Sequence, residues 1–195
     1  AKRFGIVDVM PETLAMALGS GETTLMRLTT AYAMLVNGGK RITPTLIDRI
    51  QDRNGRTVLR HDRRKCNKCR AEFWTNQLPP EQPDTRDQMT NPGSAYQVVS
   101  MLKGVVERGT GRRIRAVGKP LAGKTGTTNQ ERDTWFMGFS PDLAVGTFAG
   151  FDTPRPLGRR ETGSSVTAPI FRDFMTEALQ GEAAIPFRIP PNISL

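Results

Sequence analysis

The chain is short of the residues that build most metal and redox centres. It holds two cysteines and a single histidine, His61, in 195 residues. Two cysteines cannot frame a disulfide-rich scaffold. One histidine argues against a His-dependent catalytic dyad or a multi-histidine metal site. Aromatic residues make up only 7%, and no window approaches 18 uninterrupted apolar residues, so nothing reads as a membrane span. No signal-peptide pattern opens the chain. It begins Ala1-Lys2-Arg3-Phe4 rather than with Met, which is read as a piece cut from something longer. What is present suits one domain, or most of one, with a sizeable core. Apolar residues at 37% and charged residues at 24% are polar for a globular chain but do not signal disorder.

Positive charge is in excess and unevenly spread. Lys and Arg number 28 against 19 Asp and Glu, a formal net charge of +9. Arg49, Arg53, Arg56, Arg60, Arg63, Arg64, Lys65, Lys68 and Arg70 crowd residues 49–70, opposed only by Asp52 and Asp62. Arg108, Arg112, Arg113, Arg115 and Lys119 form a second cluster. Such patches attract polyanions, including acidic headgroups and anionic polymers. No aromatic-interleaved or recognition-helix pattern accompanies them, so nucleic acid is not expected as a partner. A non-enzymatic module for an anionic polymer remains an alternative, and steep salt dependence would mark it.

Periodicity places the elements. Leu25, Leu28, Tyr32, Leu35 and Val36 recur at helical spacing, with Thr23 or Thr24 as cap and Asn37-Gly38-Gly39 as stop. Residues 42–50 and 56–60 flank Asp52-Arg53-Asn54-Gly55, a hairpin signal. Residues 60–92 lose periodicity and read as a variable surface excursion rather than a domain boundary. Tyr96, Val99, Leu102, Val105 and Val106 predict a second helix ending at Gly109. A strand over about 120–128, a second at Trp135–Phe139 and a third from Leu143 to Phe151 follow, the last two joined by Ser140-Pro141-Asp142. The third strand places Ala144, Gly146, Phe148 and Gly150 on one face, a surface a helix can approach closely. A helix with Thr167 as cap and Pro169 in its first turn, carrying Ile170, Phe171, Phe174, Met175, Ala178 and Leu179, is expected to cover it. Residues 1–181 therefore read as one α+β unit, and 182–195 as a loose Pro-rich tail.

Two chemistries compete for the same residues. Gly118-Lys119-Pro120-Leu121-Ala122-Gly123-Lys124-Thr125 matches the G-x-x-x-x-G-K-[ST] phosphate loop of a P-loop NTPase. That loop needs a buried strand before it and a helix starting at the Lys. Arg112 to Val117 makes a poor buried strand, and Thr125-Gly126-Thr127-Thr128 is a poor helix start. Pro120 removes a donor from the cradle. On a strand, by contrast, Lys124 and Gly126 share one face while Thr125 and Thr127 share the other. A cleft-lining strand of this kind offers an ammonium, a hydroxyl and bare backbone within four residues.

Lys124-Thr125-Gly126 matches K-T-G, the third motif of penicillin-binding proteins and β-lactamases. Gly123–Thr128 followed by Asp133-Thr134-Trp135-Phe136-Met137-Gly138-Phe139 closely resembles the transpeptidase domain of class A penicillin-binding proteins. Gly19–Thr24 to Asn37-Gly38-Gly39, Met101–Val106 and Gly109-Thr110-Gly111 resemble the same family in the same order. The resemblance covers most of residues 1–180 and implies the C-terminal portion of a penicillin-binding/β-lactamase-like serine transpeptidase fold. It implies acyl transfer from D-Ala-D-Ala stem peptides of peptidoglycan through a serine acyl-enzyme, with no metal or organic cofactor. Lys124 would sustain a positive field, Thr125 would bind the substrate carboxylate, and the N–H of Thr127 would be an oxyanion donor. Gly126 would keep the strand open, with Thr128 and Thr110 as further substrate-binding residues. β-Lactam antibiotics are implied as ligands, and the periplasmic face of the inner membrane as the location. A D,D-carboxypeptidase or β-lactamase of the same fold differs only in the acyl acceptor.

The sequence departs from that family in one respect. No S-x-N occurs, and the one S-x-x-K is Ser100-Met101-Leu102-Lys103. Seven Ser and seven Lys in 195 residues supply about a quarter of such a match by chance. Ser100 sits in the helix that resembles a later, non-catalytic part of the domain, so it is read as a decoy. The nucleophile motif, a glycosyltransferase domain and a membrane anchor are expected upstream of Ala1, and this chain alone is expected to be inactive. Cys66-x-x-Cys69 remains open between a local disulfide and free thiols. Trp135, Phe136 and Phe139 are expected in the core, Arg112 and Arg113 on a solvated turn, and Asp133 in a turn rather than in catalysis.

Overall fold

The computed structural model describes residues 1–64, 73, 75–76, 84–191 and 193. Cys66 and Cys69, with whatever state they adopt, lie outside the described residues. The chain divides into two compact units, Ala1–Ile42 with Gln88–Leu195, and Thr43–Asp87. The second unit includes the hairpin. Within it β1 (Arg49–Gln51) and β2 (Thr57–Arg60) pair antiparallel, with Arg49 opposite Arg60 and Ile50 opposite Leu59. The Asp52 carboxylate accepts from the Asn54 and Arg56 N–H groups, each at 2.9 Å, and shapes the turn. Gly55 takes φ +78° there, a left-handed conformation that glycine adopts without penalty.

The larger unit is an antiparallel sheet in the order β3 (Ala122–Thr127), β4 (Asp133–Phe139), β5 (Ala144–Gly150). Three helices surround it: α1 (Leu25–Val36), α2 (Pro92–Arg108) and α3 (Thr167–Ala178). The capping chemistry follows from side chains. Thr24 accepts the Arg27 N–H at 3.2 Å to start α1. Asn91 accepts the Gly93 N–H at 2.8 Å to start α2, with Pro92 in the first turn, where its missing N–H costs nothing.

Alternation along β4 divides the core. Phe136 faces α3 and packs with Ile114, Leu121, Val106, Ala168, Phe171 and Met175. The Phe136 and Phe171 rings lie 4.7 Å apart and tilted, a geometry worth about 1 kcal/mol beyond area burial. Phe139 faces the other way, with Val99, Leu102 and Ala122, and meets the Tyr32 ring at 6.3 Å. Burial there pushes the Tyr32 phenol pKa upward. Trp135 departs from expectation: it is half-buried and lies on the Phe148 ring at 4.6 Å.

Three further expectations need correcting. The small-residue face of β5 is covered by α1, not α3: a Cβ on Gly146 would collide with Thr29 and come within 3.0 Å of Leu25. The Leu143, Val145 and Thr147 face takes α3 instead, with Thr147 donating to the Thr167 carbonyl at 3.1 Å. Within α1 the most deeply buried residues are Thr30, Ala31 and Met34, while Tyr32, Leu35 and Val36 pack half-buried against the Phe139 cluster. Thr167 is not a cap. It lies inside α3, fully buried, and donates to the Gly163 carbonyl at 3.1 Å. On the same helix Ile170 and Phe174 are exposed, because the inward line runs through Phe171 and Met175. Finally, one residue of the Pro-rich stretch reaches the core: Phe187 sits edge-on to Phe139 at 5.7 Å.

Candidate active site

β3 forms one edge of its sheet, with β4 on one side and no described strand on the other. The Thr128 N–H donates to the Asp133 carbonyl at 3.0 Å. Bonded and non-bonded pairs alternate along an antiparallel ladder. With Thr127 opposite Thr134 and Gly126 opposite Trp135, Lys124, Gly126 and Thr128 therefore bond to β4. The N–H and C=O groups of Thr125 and Thr127 point outward from the open edge. Neither outward N–H has a partner among the described residues.

The side chains divide as alternation requires. Lys124 and Gly126 share the face of Met137 and Trp135, while Thr125 and Thr127 share that of Phe136 and Thr134. Lys124 is exposed, and its Nζ donates to the outward Thr125 carbonyl at 2.8 Å. That places the ammonium at the open edge, without an ion pair to any described residue.

The opposite face is fastened. Thr125 Oγ1 and Thr110 Oγ1 are 2.7 Å apart. Thr127 Oγ1 accepts the Gly163 N–H at 3.0 Å, and Ser164 Oγ donates to the Thr110 carbonyl at 3.0 Å. Gly163 lies so close to the ladder that a Cβ there would sit 2.6 Å from the carbonyl oxygens of Gly126 and Trp135. Thr110 is presented to β3 by the turn after α2, where the Gly109 and Gly111 N–H groups both donate to the Val105 carbonyl at 3.0 Å. A Cβ on Gly109 would lie 2.9 Å from the Val105 Cα, so only glycine lets the turn fold back this tightly.

Five of the six expected site residues, Lys124, Thr125, Gly126, Thr127 and Thr110, thus converge on the open half of β3. Thr128 serves the turn: its hydroxyl accepts the Asp133 N–H at 2.8 Å. Gly163 and Ser164 escaped sequence reasoning. The Gly-Ser-Ser run ahead of α3 marks a loop, but nothing local says which strand that loop touches. Ser100 is exposed on α2, and Lys103 pairs with Glu107 at 3.3 Å, so the S-x-x-K pair is not assembled. The phosphate-loop alternative fails on geometry. Residues 112–117 form a 3-10 helix rather than a strand, and Lys124 lies within β3, where a P-loop requires a helix to begin.

The penicillin-binding protein transpeptidase domain matches residues 9–176. The chain belongs to this family. It is 46% identical over its whole length to penicillin-binding protein 1A of Rickettsia bellii, covering 25% of that protein. It is 36% identical to penicillin-binding protein 1A of Neisseria gonorrhoeae, over 98% of this chain and 22% of that one. The chain therefore spans about a quarter of the length of these relatives. Among solved structures, penicillin-binding protein 1A from Haemophilus influenzae matches with a TM-score of 0.76 and 27% identity, over 97% of this chain and 31% of that one. PonA1 from Mycobacterium tuberculosis, solved in complex with penicillin V, superposes with a TM-score of 0.74 at 21% identity, over 98% of this chain and 51% of that one. That likeness shows the fold alone, α+β with the family's antiparallel sheet.

Proposed function

We propose that this chain supplies the substrate-binding wall of a peptidoglycan D,D-transpeptidase. The observation that carries the reading is the open edge of β3, where two unpartnered N–H groups lie beside an exposed ammonium. An extended D-Ala-D-Ala peptide laid along that edge gains backbone hydrogen bonds as an added strand would. Lys124 attracts its terminal carboxylate, and Thr125 donates a hydrogen bond to it. A serine Oγ from another part of the protein attacks the penultimate carbonyl. The electron pair moves onto that oxygen, which the Thr127 N–H stabilises, and collapse of the intermediate expels D-Ala as an amine that takes up the proton the serine hydroxyl gave up. The amine of a second stem peptide then displaces the serine and forms the cross-link. β-Lactams would enter the same site as carboxylate-bearing acylating agents.

The chain's share of its relatives leaves room elsewhere in the protein for the nucleophile motif, a glycosyltransferase domain and a membrane anchor. The relatives' identity as penicillin-binding protein 1A supports action at the periplasmic face of the inner membrane. Intact-mass spectrometry after penicillin treatment tests the reading. The full-length protein should gain one penicilloyl group, and the 195-residue chain alone should gain none. An adduct on the chain alone would make a local serine the nucleophile. No adduct on the full-length protein would overturn the proposal.

A further inference from the structure

A hydroxyl has one proton to donate and two lone pairs to accept with. Thr125 Oγ1 lies 2.7 Å from Thr110 Oγ1, so one of the two hydroxyls donates to the other. If Thr125 donates to Thr110, its proton is occupied and it presents only lone pairs to the open edge, where they repel a carboxylate. If Thr110 donates, the Thr125 proton is free to meet an anion.

We propose that Thr110 is a positioning residue that donates to Thr125 Oγ1 and thereby aims the Thr125 proton at the carboxylate of the acyl donor. This inference rests on the transpeptidase reading and adds a residue to it that acts through Thr125 rather than by touching substrate. The surroundings are built for that task. Thr110 is held from behind by the Gly109 and Gly111 N–H groups, both bonded to the Val105 carbonyl at 3.0 Å. Its own carbonyl accepts from Ser164 Oγ at 3.0 Å, so the loop that precedes α3 braces the peptide that bears the hydroxyl. Thr125 in turn stands on β3, whose register against β4 is fixed from Ala122 to Thr127. Two independently anchored backbones thus set one hydroxyl–hydroxyl distance. A carboxylate arriving at Thr125 polarises the pair toward the Thr110→Thr125→anion direction, since charge-assisted bonds are the stronger ones.

The test uses the full-length protein and follows acylation by penicillin and by its methyl ester, which lacks the carboxylate charge. Thr110→Val keeps the shape and removes the donor. It should lower the second-order acylation rate with penicillin by about threefold to tenfold, the size of one neutral hydrogen bond that orients Thr125, since the bond to the carboxylate is made by Thr125 itself. Most of the loss should fall in the binding constant, not in the limiting rate. The ester, which brings no charge to polarise the pair, should be affected less than about twofold. Thr110→Ser should restore the penicillin rate, and Thr110→Val should add little once Thr125→Val is present. Equal losses with acid and ester, or no loss with either, would overturn the inference while leaving the transpeptidase reading intact. A wild-type protein that penicillin does not acylate would overturn both. Thermal melting of each variant separates these effects from unfolding.

Discussion

On one face of β3, Thr125 and Thr127 are tied by hydrogen bonds to Thr110 and to Gly163. On the other, Lys124 is exposed and reaches only a carbonyl of its own strand, while Gly126 offers no side chain at all. Between the two faces run the outward amides of Thr125 and Thr127. Period-two alternation lets four residues do two jobs, since Thr125 and Thr127 hold the strand to its neighbours while Lys124 and Gly126 leave the other face uncovered. Thr125 stands between the two, tied to Thr110 yet next to the open edge.

Removing the open face should have the largest effect on activity. Lys124→Ala should reduce penicillin acylation of the full-length protein about a hundredfold to a thousandfold, the size of a lost electrostatic contact to developing or substrate charge. Its melting temperature should be unchanged, because the side chain is exposed. The tie between Thr127 and Gly163 should respond the other way round. Gly163→Ala places a methyl 2.6 Å from two carbonyl oxygens and should destabilise the domain by about 1–3 kcal/mol, read by denaturant titration, with acylation falling as the strand shifts. Thr127→Val sharpens the contrast within one residue. It removes the acceptor for the Gly163 N–H but keeps the Thr127 N–H. Stability should fall by about 1 kcal/mol, while acylation should drop less than about tenfold.

The same comparison shows how far the sequence could be read. The faces of β3 were legible because alternation is local: Lys124-Thr125-Gly126-Thr127 states its own division. So were the cap at Thr23 or Thr24 and the three strands of the sheet. What covers each face was not legible. Gly146 shows that something approaches closely, but whether α1 or α3 does so depends on a contact with Thr29, more than a hundred residues away. Thr167 carries a cap's chemistry, yet its hydroxyl serves Gly163 from inside the helix, and nothing nearby distinguishes the two uses. Phe187 reads as part of a Pro-rich tail until Phe139 is seen beside it.

The smallest expected effect lies in the hairpin unit. Asp62 accepts from the Arg64 guanidinium at 2.7 and 2.9 Å and from its N–H at 3.0 Å. Those side-chain bonds, with the backbone bond next, hold its carboxyl well below the ordinary carboxylate range. A depressed pKa contributes stability that is fully present above the unfolded value, about pH 4, and is lost as pH falls through the folded value. The pair is exposed and screened, so the contribution is small. The melting-temperature difference between wild type and Asp62→Asn should be constant from about pH 7 to 5 and shrink only below about pH 4.

The most direct test of the open-edge account is amide exchange at single residues of β3 in the full-length protein, free and penicillin-acylated. In the free protein the Gly126 and Thr128 amides, bonded to β4, should exchange slowly and the Thr127 amide quickly. Acylation should protect Thr127 and leave Gly126 and Thr128 unchanged. A Thr127 amide that is already slow in the free protein, or that acylation does not slow, would contradict the assignment of this edge as the receiving surface.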